Sequence, residues 1–137
     1  MQTTRFDAFF EPYKDYGVLL LRLLIGWRLI VGVWDNIVSW ERMLEFGQFL
    51  ATFRFPFPLV AAHVSVYAQF ICALLFLTGW QIRWAALIMV INFSVALLTA
   101  HRQDSFENAF AAWIMLGCSL FFVLHGAGKI ALRSYRA

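Results

Sequence analysis

The chain has 137 residues, 62% of them hydrophobic and 14% charged, with a net charge of +3, a pI near 9.2 and a mean hydropathy of +0.71. Soluble domains are roughly 45–50% apolar, so this composition excludes one and points to a membrane protein, and the length allows one domain spanning residues 1–137. The basic balance does not read as nucleic-acid binding, because no cluster of Lys and Arg interleaved with base-stacking aromatics occurs.

The first sixteen residues mix Arg5, Lys14, Asp7, Glu11 and Asp15 with aromatic side chains. No small-x-small cleavage site closes the apolar run that follows, so that run is expected to be a retained helix and not a signal peptide. Residues 17–38 form the first predicted span, of the length that crosses a bilayer. Arg28 lies about halfway along it. A cation at that depth costs roughly 2.5–3.5 kcal/mol on insertion scales, so Arg28 is expected to face protein or a wet cavity. Gly32, Asp35 and Asn36 continue its stripe outward, making Asp35 the expected long-range charge partner. Arg22 stands near the inner boundary. It reads either as an anchoring arginine that snorkels or as a charge shared with Gln81 or the end of the second helix.

Between residues 39 and 57, Trp40, Met43, Leu44, Gly47, Leu50 and Phe53 recur at helical spacing while Glu41, Arg42, Glu45 and Gln48 take other faces. This predicts a short amphipathic helix on the outer membrane surface, ended by Pro56 and Pro58. Further spans are expected at 58–78, 82–100 and 108–126. The short linkers after the second and third spans force antiparallel neighbours, so the fold class is an all-α membrane protein, a four-helix antiparallel bundle. Aromatic residues near the span ends, such as Trp34, Trp80 and Trp84, form an interfacial belt. Lys and Arg outside the spans number six on the side of the termini (Arg5, Lys14, Arg83, Lys129, Arg133, Arg136) and three on the other (Arg42, Arg54, Arg102). Both termini are therefore expected in the cytoplasm.

Depth along the spans sorts the polar residues into three layers. Arg28, Gln69, Asn92 and Cys118 with Ser119 share the midplane, where the amide oxygens of Gln69 and Asn92 are expected to accept from the Arg28 guanidinium. Asp35, Asn36, His63, His101, Glu107 and Asn108 lie toward the outer face. Two histidines and two carboxylates there, His63, His101, Asp35 and Glu107, suit proton transfer, head-group binding or metal, against the plainer reading that such residues cap helices and pack. No metal is assigned. Arg22, Thr78, Gln81, His125 and Lys129 make the inner layer, with His125 and Gly126 ending the last helix. Cys72 and Cys118 could meet, but without C-x-x-C spacing they read as buried thiols.

Catalytic signatures are otherwise missing. There is no H-E-x-x-H, G-x-S-x-G, phosphate-cradling glycine loop or haem-attachment C-x-x-C-H, and the three histidines lack matched depth for a bis-histidine haem.

From about Leu19 to Leu132 the chain resembles the DoxX family of small four-helix membrane proteins. The carriers are Leu20-Leu21-Arg22 with Gly26; Phe49-Leu50 followed by Phe55-Pro56-Phe57-Pro58; Leu77-x-Gly79-x-x-x-Arg83-x-Ala85-Ala86; Phe106-Glu107-x-Ala109; and Gly126-Ala127-Gly128-Lys129. The family takes its name from a subunit associated with thiosulfate:quinone oxidoreductase and terminal quinol oxidase. The resemblance implies a bacterial cytoplasmic membrane location, oxidoreductase partner subunits and a quinone or lipid ligand. Where the family commonly places His-Gly-x-x-Lys, this chain has Gly32-Val33-Trp34-Asp35-Asn36; where it commonly has a glutamate in the second helix, it has Gln69; and Arg28 stands at a usually apolar position.

The expectation carried forward is an integral subunit whose interior binds a quinone carbonyl or another lipophilic head group, with no cofactor covalently bound. Arg28 would anchor the ligand, Gln69 and Asn92 orient it, and Asp35, Asn36 and Arg22 complete the polar set. His63, His101 and Glu107 would carry protons at the outer mouth. The alternatives are a membrane scaffold without a ligand, possible homo-oligomer contacts included, and a small transporter.

Overall fold

A computed structural model of the chain describes residues 5–132. Arg133 and Arg136, counted among the cytoplasmic charges, lie outside the described residues. Within them the chain is helical with no strand. Helix α1 (Arg5–Phe10) passes through a 3-10 turn (Glu11–Tyr13) into α2 (Lys14–Val38), and α3 (Trp40–Thr52), α4 (Pro58–Thr78), α5 (Ile82–Leu98) and α6 (Phe106–His125) follow.

Residues 5–38 form one 34-residue helical run, so the first helix begins well before residue 17. Phe6, Phe9, Phe10 and Tyr13 explain the extension, because helical spacing brings their rings edge to face or tilted against one another, with centroids 4.9–6.1 Å apart. No residue of α1 is buried. The apolar face of α2 turns inward through Arg22, Ile25, Gly26, Leu29 and Val33. Gly26 sets its closeness to α4, since a Cβ there would stand 2.8 Å from Leu77 and 3.1 Å from the Ala73 carbonyl oxygen.

Ser39 caps α3 by accepting from the Arg42 amide at 3.4 Å. Helix α3 is amphipathic as its spacing predicts, but its stripe is largely covered by protein. Met43, Gly47 and Leu50 are buried, and Met43 and Leu50 close a small core with Val33, Ala62 and Val66 at the end of the bundle where α2 finishes. Pro58 opens α4 after Phe57, which takes a left-handed conformation at φ 51°.

Gly79 ends α4 at φ 77°, and the chain reverses into α5 through Gln81. The bundle packs in the order α2, α4, α5, α6, with α3 on α4. Its main core joins Ile25, Leu29, Cys72, Phe76, Met89 and Phe122, and the Phe76 and Phe122 rings meet edge to face at 5.4 Å. Among the described residues three helical runs are long and apolar enough to cross a membrane: Arg5–Val38, Pro58–Thr78 and Phe106–His125. The third predicted span stops at Leu98 instead of residue 100, leaving 17 helical residues. Thr99 leaves helical geometry there, its hydroxyl turned back to donate to the Val95 carbonyl at 2.6 Å.

Candidate functional site

A cavity of about 430 Å³ opens between α3, α4 and α5, within the range of roughly 300–1,000 Å³ that small-molecule sites occupy. Phe46, Leu50, Phe55, Val64, Ile91 and Val95 make its walls largely apolar. Across them runs one polar chain. The Gln69 amide Nε2 donates to Ser65 Oγ at 3.2 Å, and the Ser65 hydroxyl donates to Asn92 Oδ1 at 2.9 Å. Ser65 and Gln69 are four residues apart and so share one face of α4, while Asn92 reaches across from α5. Sequence depth put Gln69 and Asn92 at one level, and the structure joins them through a serine that depth sorting passed over. Its signal was the i, i+4 spacing to Gln69. Within this chain of bonds Gln69 Oε1 still has acceptor capacity, and Asn92 Nδ2 still has both hydrogens to donate.

A smaller cleft of about 180 Å³ lies on the other side of Gln69, where Arg28 and Gly32 of α2 face Ala111, Ala112 and Met115 of α6. Gln69, Phe93, Ala96 and His101 line both spaces. The expected network of Arg28 with Gln69 and Asn92 does not form. Among the described residues no hydrogen bond or ion pair joins Arg28 to either amide or to Asp35, and Arg28 is exposed. Its guanidinium lies along its own helix over Gly32, where an added Cβ would stand 2.8 Å from Nη1. The room left by that glycine is used by Arg28 itself.

The outer polar residues disperse. Asp35 is exposed, and the Asn36 amide donates to the Arg42 carbonyl at 3.1 Å, tying α2 to α3. Nδ1 of His63 lies 2.8 Å from the Leu59 carbonyl, and its ring lies against Trp40 and Tyr67. Glu107 and Asn108 are exposed, and the helix they begin is capped by Ser105. His101 alone of this group borders the cavity and the cleft. Its Nδ1 lies 2.7 Å from Asp104 Oδ2. No group of three or more His, Cys, Asp or Glu able to hold a metal occurs among the described residues.

Arg22 is remote from this cavity and is neither a snorkelling anchor nor a lining residue. Only 2% of it is exposed. Its Nη1 donates to the Ala127 carbonyl at 2.8 Å, it occupies the space beside Gly79 at the end of α4, and its Nε has no partner among the described residues. The same end is closed by the residues after α6. The Leu132 amide donates to the Thr78 carbonyl at 2.9 Å, Lys129 pairs with Asp15 at 3.4 Å, and Arg83 donates to the Leu124 carbonyl at 3.4 Å. Cys72 and Cys118 are free thiols packed in or against the main core.

Comparison with known proteins gives a family and one relative. The DoxX profile matches residues 17–102, well over half of the chain. An uncharacterized protein of Haemophilus influenzae is 26% identical over 124 residues, covering 85% of this chain and 80% of that protein. No solved structure matches.

Proposed function

The chain belongs to the DoxX family, and from that membership we propose that it is an integral subunit of a quinone-linked oxidoreductase system, holding a quinone or quinol in the cavity between α3, α4 and α5. The observation that carries this reading is the Gln69–Ser65–Asn92 chain set in apolar walls. A quinone carbonyl accepts hydrogen bonds and a quinol hydroxyl donates them. Asn92 Nδ2 serves the first and Gln69 Oε1 the second, so one site suits both redox forms. His101 at the mouth, its Nδ1 hydrogen-bonded to Asp104, stands beside the ligand space and can pass a proton to or from it. Partner subunits would supply the electron transfer.

This reading includes four crossings of the bacterial inner membrane with both termini cytoplasmic. Helix α5 is about 26 Å long at 1.5 Å per residue, a few ångströms short of a typical hydrocarbon core. It is nonetheless apolar and lies between α4 and α6, each long enough to cross. A three-residue turn joins it to α4, so it returns the chain through the same layer.

The test is titration of a short-chain ubiquinone analogue into the purified protein, together with solvent extraction of any quinone it retains. Wild type is expected to bind, and Asn92→Ala to bind about 5–10-fold more weakly, the loss of one hydrogen bond of about 1–1.4 kcal/mol. Wild-type protein that neither retains nor binds quinone would falsify the reading and leave the scaffold role.

A further inference from the structure

Arg28 remains unexplained by the quinone site. It is a guanidinium near the centre of a spanning helix, without a hydrogen-bond or ion-pair partner among the described residues, at the edge of a cleft that also holds Gln69 and His101. Such a charge needs an anion or water at its depth. Its own helix offers none, because Asp35 is seven residues outward, roughly 10 Å along the axis. A second copy offers none either. A two-fold axis along the membrane normal returns the same residue at the same depth, so this face of α2 would set Arg28 against Arg28.

We infer that the Arg28 cleft is the anion subsite of the cavity beside it, and that together they take a single-chain amphiphile with a carboxylate or phosphate head. The inference rests on the cavity being a ligand site, as proposed above, and gives it a second class of ligand, anionic where the quinone is neutral. Gln69 is the hinge of the arrangement. It lines both spaces, and the Nε2 hydrogen not given to Ser65 is free to join the Arg28 guanidinium on one anionic head. Gln69, Phe93, Ala96 and His101 line both spaces, and Ala96 among them brings no side chain beyond Cβ, so a head at Arg28 sets its hydrocarbon chain toward the apolar cavity of about 430 Å³. Ala111, at the edge of the cleft, is exposed, so the cleft opens on the side of the bundle, the route by which such a molecule arrives.

The experiment titrates the fluorescent fatty acid cis-parinaric acid, and separately its methyl ester, into the full-length protein in nanodiscs. The acid is expected to bind at least tenfold tighter than the ester. Arg28→Gln should erase that preference, and Arg28→Lys should keep part of it. Displacement of the acid by lysophosphatidic acid more readily than by oleate would assign the head as phosphate, and the reverse order as carboxylate. Equal binding of acid and ester to wild type overturns the inference. If Asn92→Ala still weakens both, or the quinone analogue still binds, the cavity survives as a neutral-head site and only the anion subsite is lost. Binding of none of the probes removes both.

Discussion

Two arginines six residues apart on α2 exchange the roles their depth assigns them. At 100° per residue, Arg22 falls in phase with Ile25, Gly26, Leu29 and Val33, the buried face, whereas Arg28 is turned about 120° away from it. Depth is a one-dimensional coordinate and burial depends on azimuth, so the arginine nearer the surface is the enclosed one. The phase was present in the sequence, in the spacing of Arg22 to Gly26 and Leu29. Arg22→Ala is therefore expected to cost about 2–3 kcal/mol, because it removes a bond to Ala127 and empties a packed position. Arg28→Gln loses no bond among the described residues and removes an unpaired charge, so it should not destabilise. Thermal unfolding of the two variants in the same detergent checks the order, and a larger loss for Arg28→Gln contradicts it.

At the level of elements, the helices hold together where side chains are small or polar at chosen points. Gly79 is such a point: its left-handed φ of 77°, with an added Cβ only 2.6 Å from both Arg22 Nη1 and Ala131 Cβ, leaves no room for any other residue. Gly79→Ala should destabilise by about 2 kcal/mol or more. Gly117, inside α6 with nothing within 4 Å of where a methyl group would stand, is the control. Gly117→Ala should be neutral or gain up to about 1 kcal/mol through helix propensity. The same thermal assay reads both, and equal losses would show that the Gly79 contacts do not matter. Ser65 ties α4 to α5. Ser65→Ala should cost about 1 kcal/mol and weaken quinone-analogue binding alongside Asn92→Ala. The existence and type of α3 were legible from its spacing. That its stripe faces α4 was not, because the same pattern serves a lipid surface and a protein surface equally well.

For the whole molecule, the up-and-down path brings α1, the α4–α5 turn and the residues after α6 to one end, and α3 and the α5–α6 loop to the other. Single cysteines placed at Arg54 and Asp104 are expected to react with a membrane-impermeant maleimide in intact cells, and one at Arg83 only after the membrane is opened. Native Cys72 and Cys118, packed in and against the core, should stay unlabelled throughout. Labelling of Arg83→Cys from outside would invert the orientation, and labelling of Asp104→Cys from the same side as Arg83→Cys would remove the α5 crossing. The sequence by itself determined the solvent, the helices and their order, because hydropathy over some twenty residues and short linkers act locally along the chain. Tertiary structure decided which phase of α2 turns inward and so buries Arg22, brought Asn92 to Ser65 to complete the amide pair, and set the outer histidines apart. Those outcomes depend on how each helix is rotated about its axis, and rotation is set only when neighbouring helices pack against it.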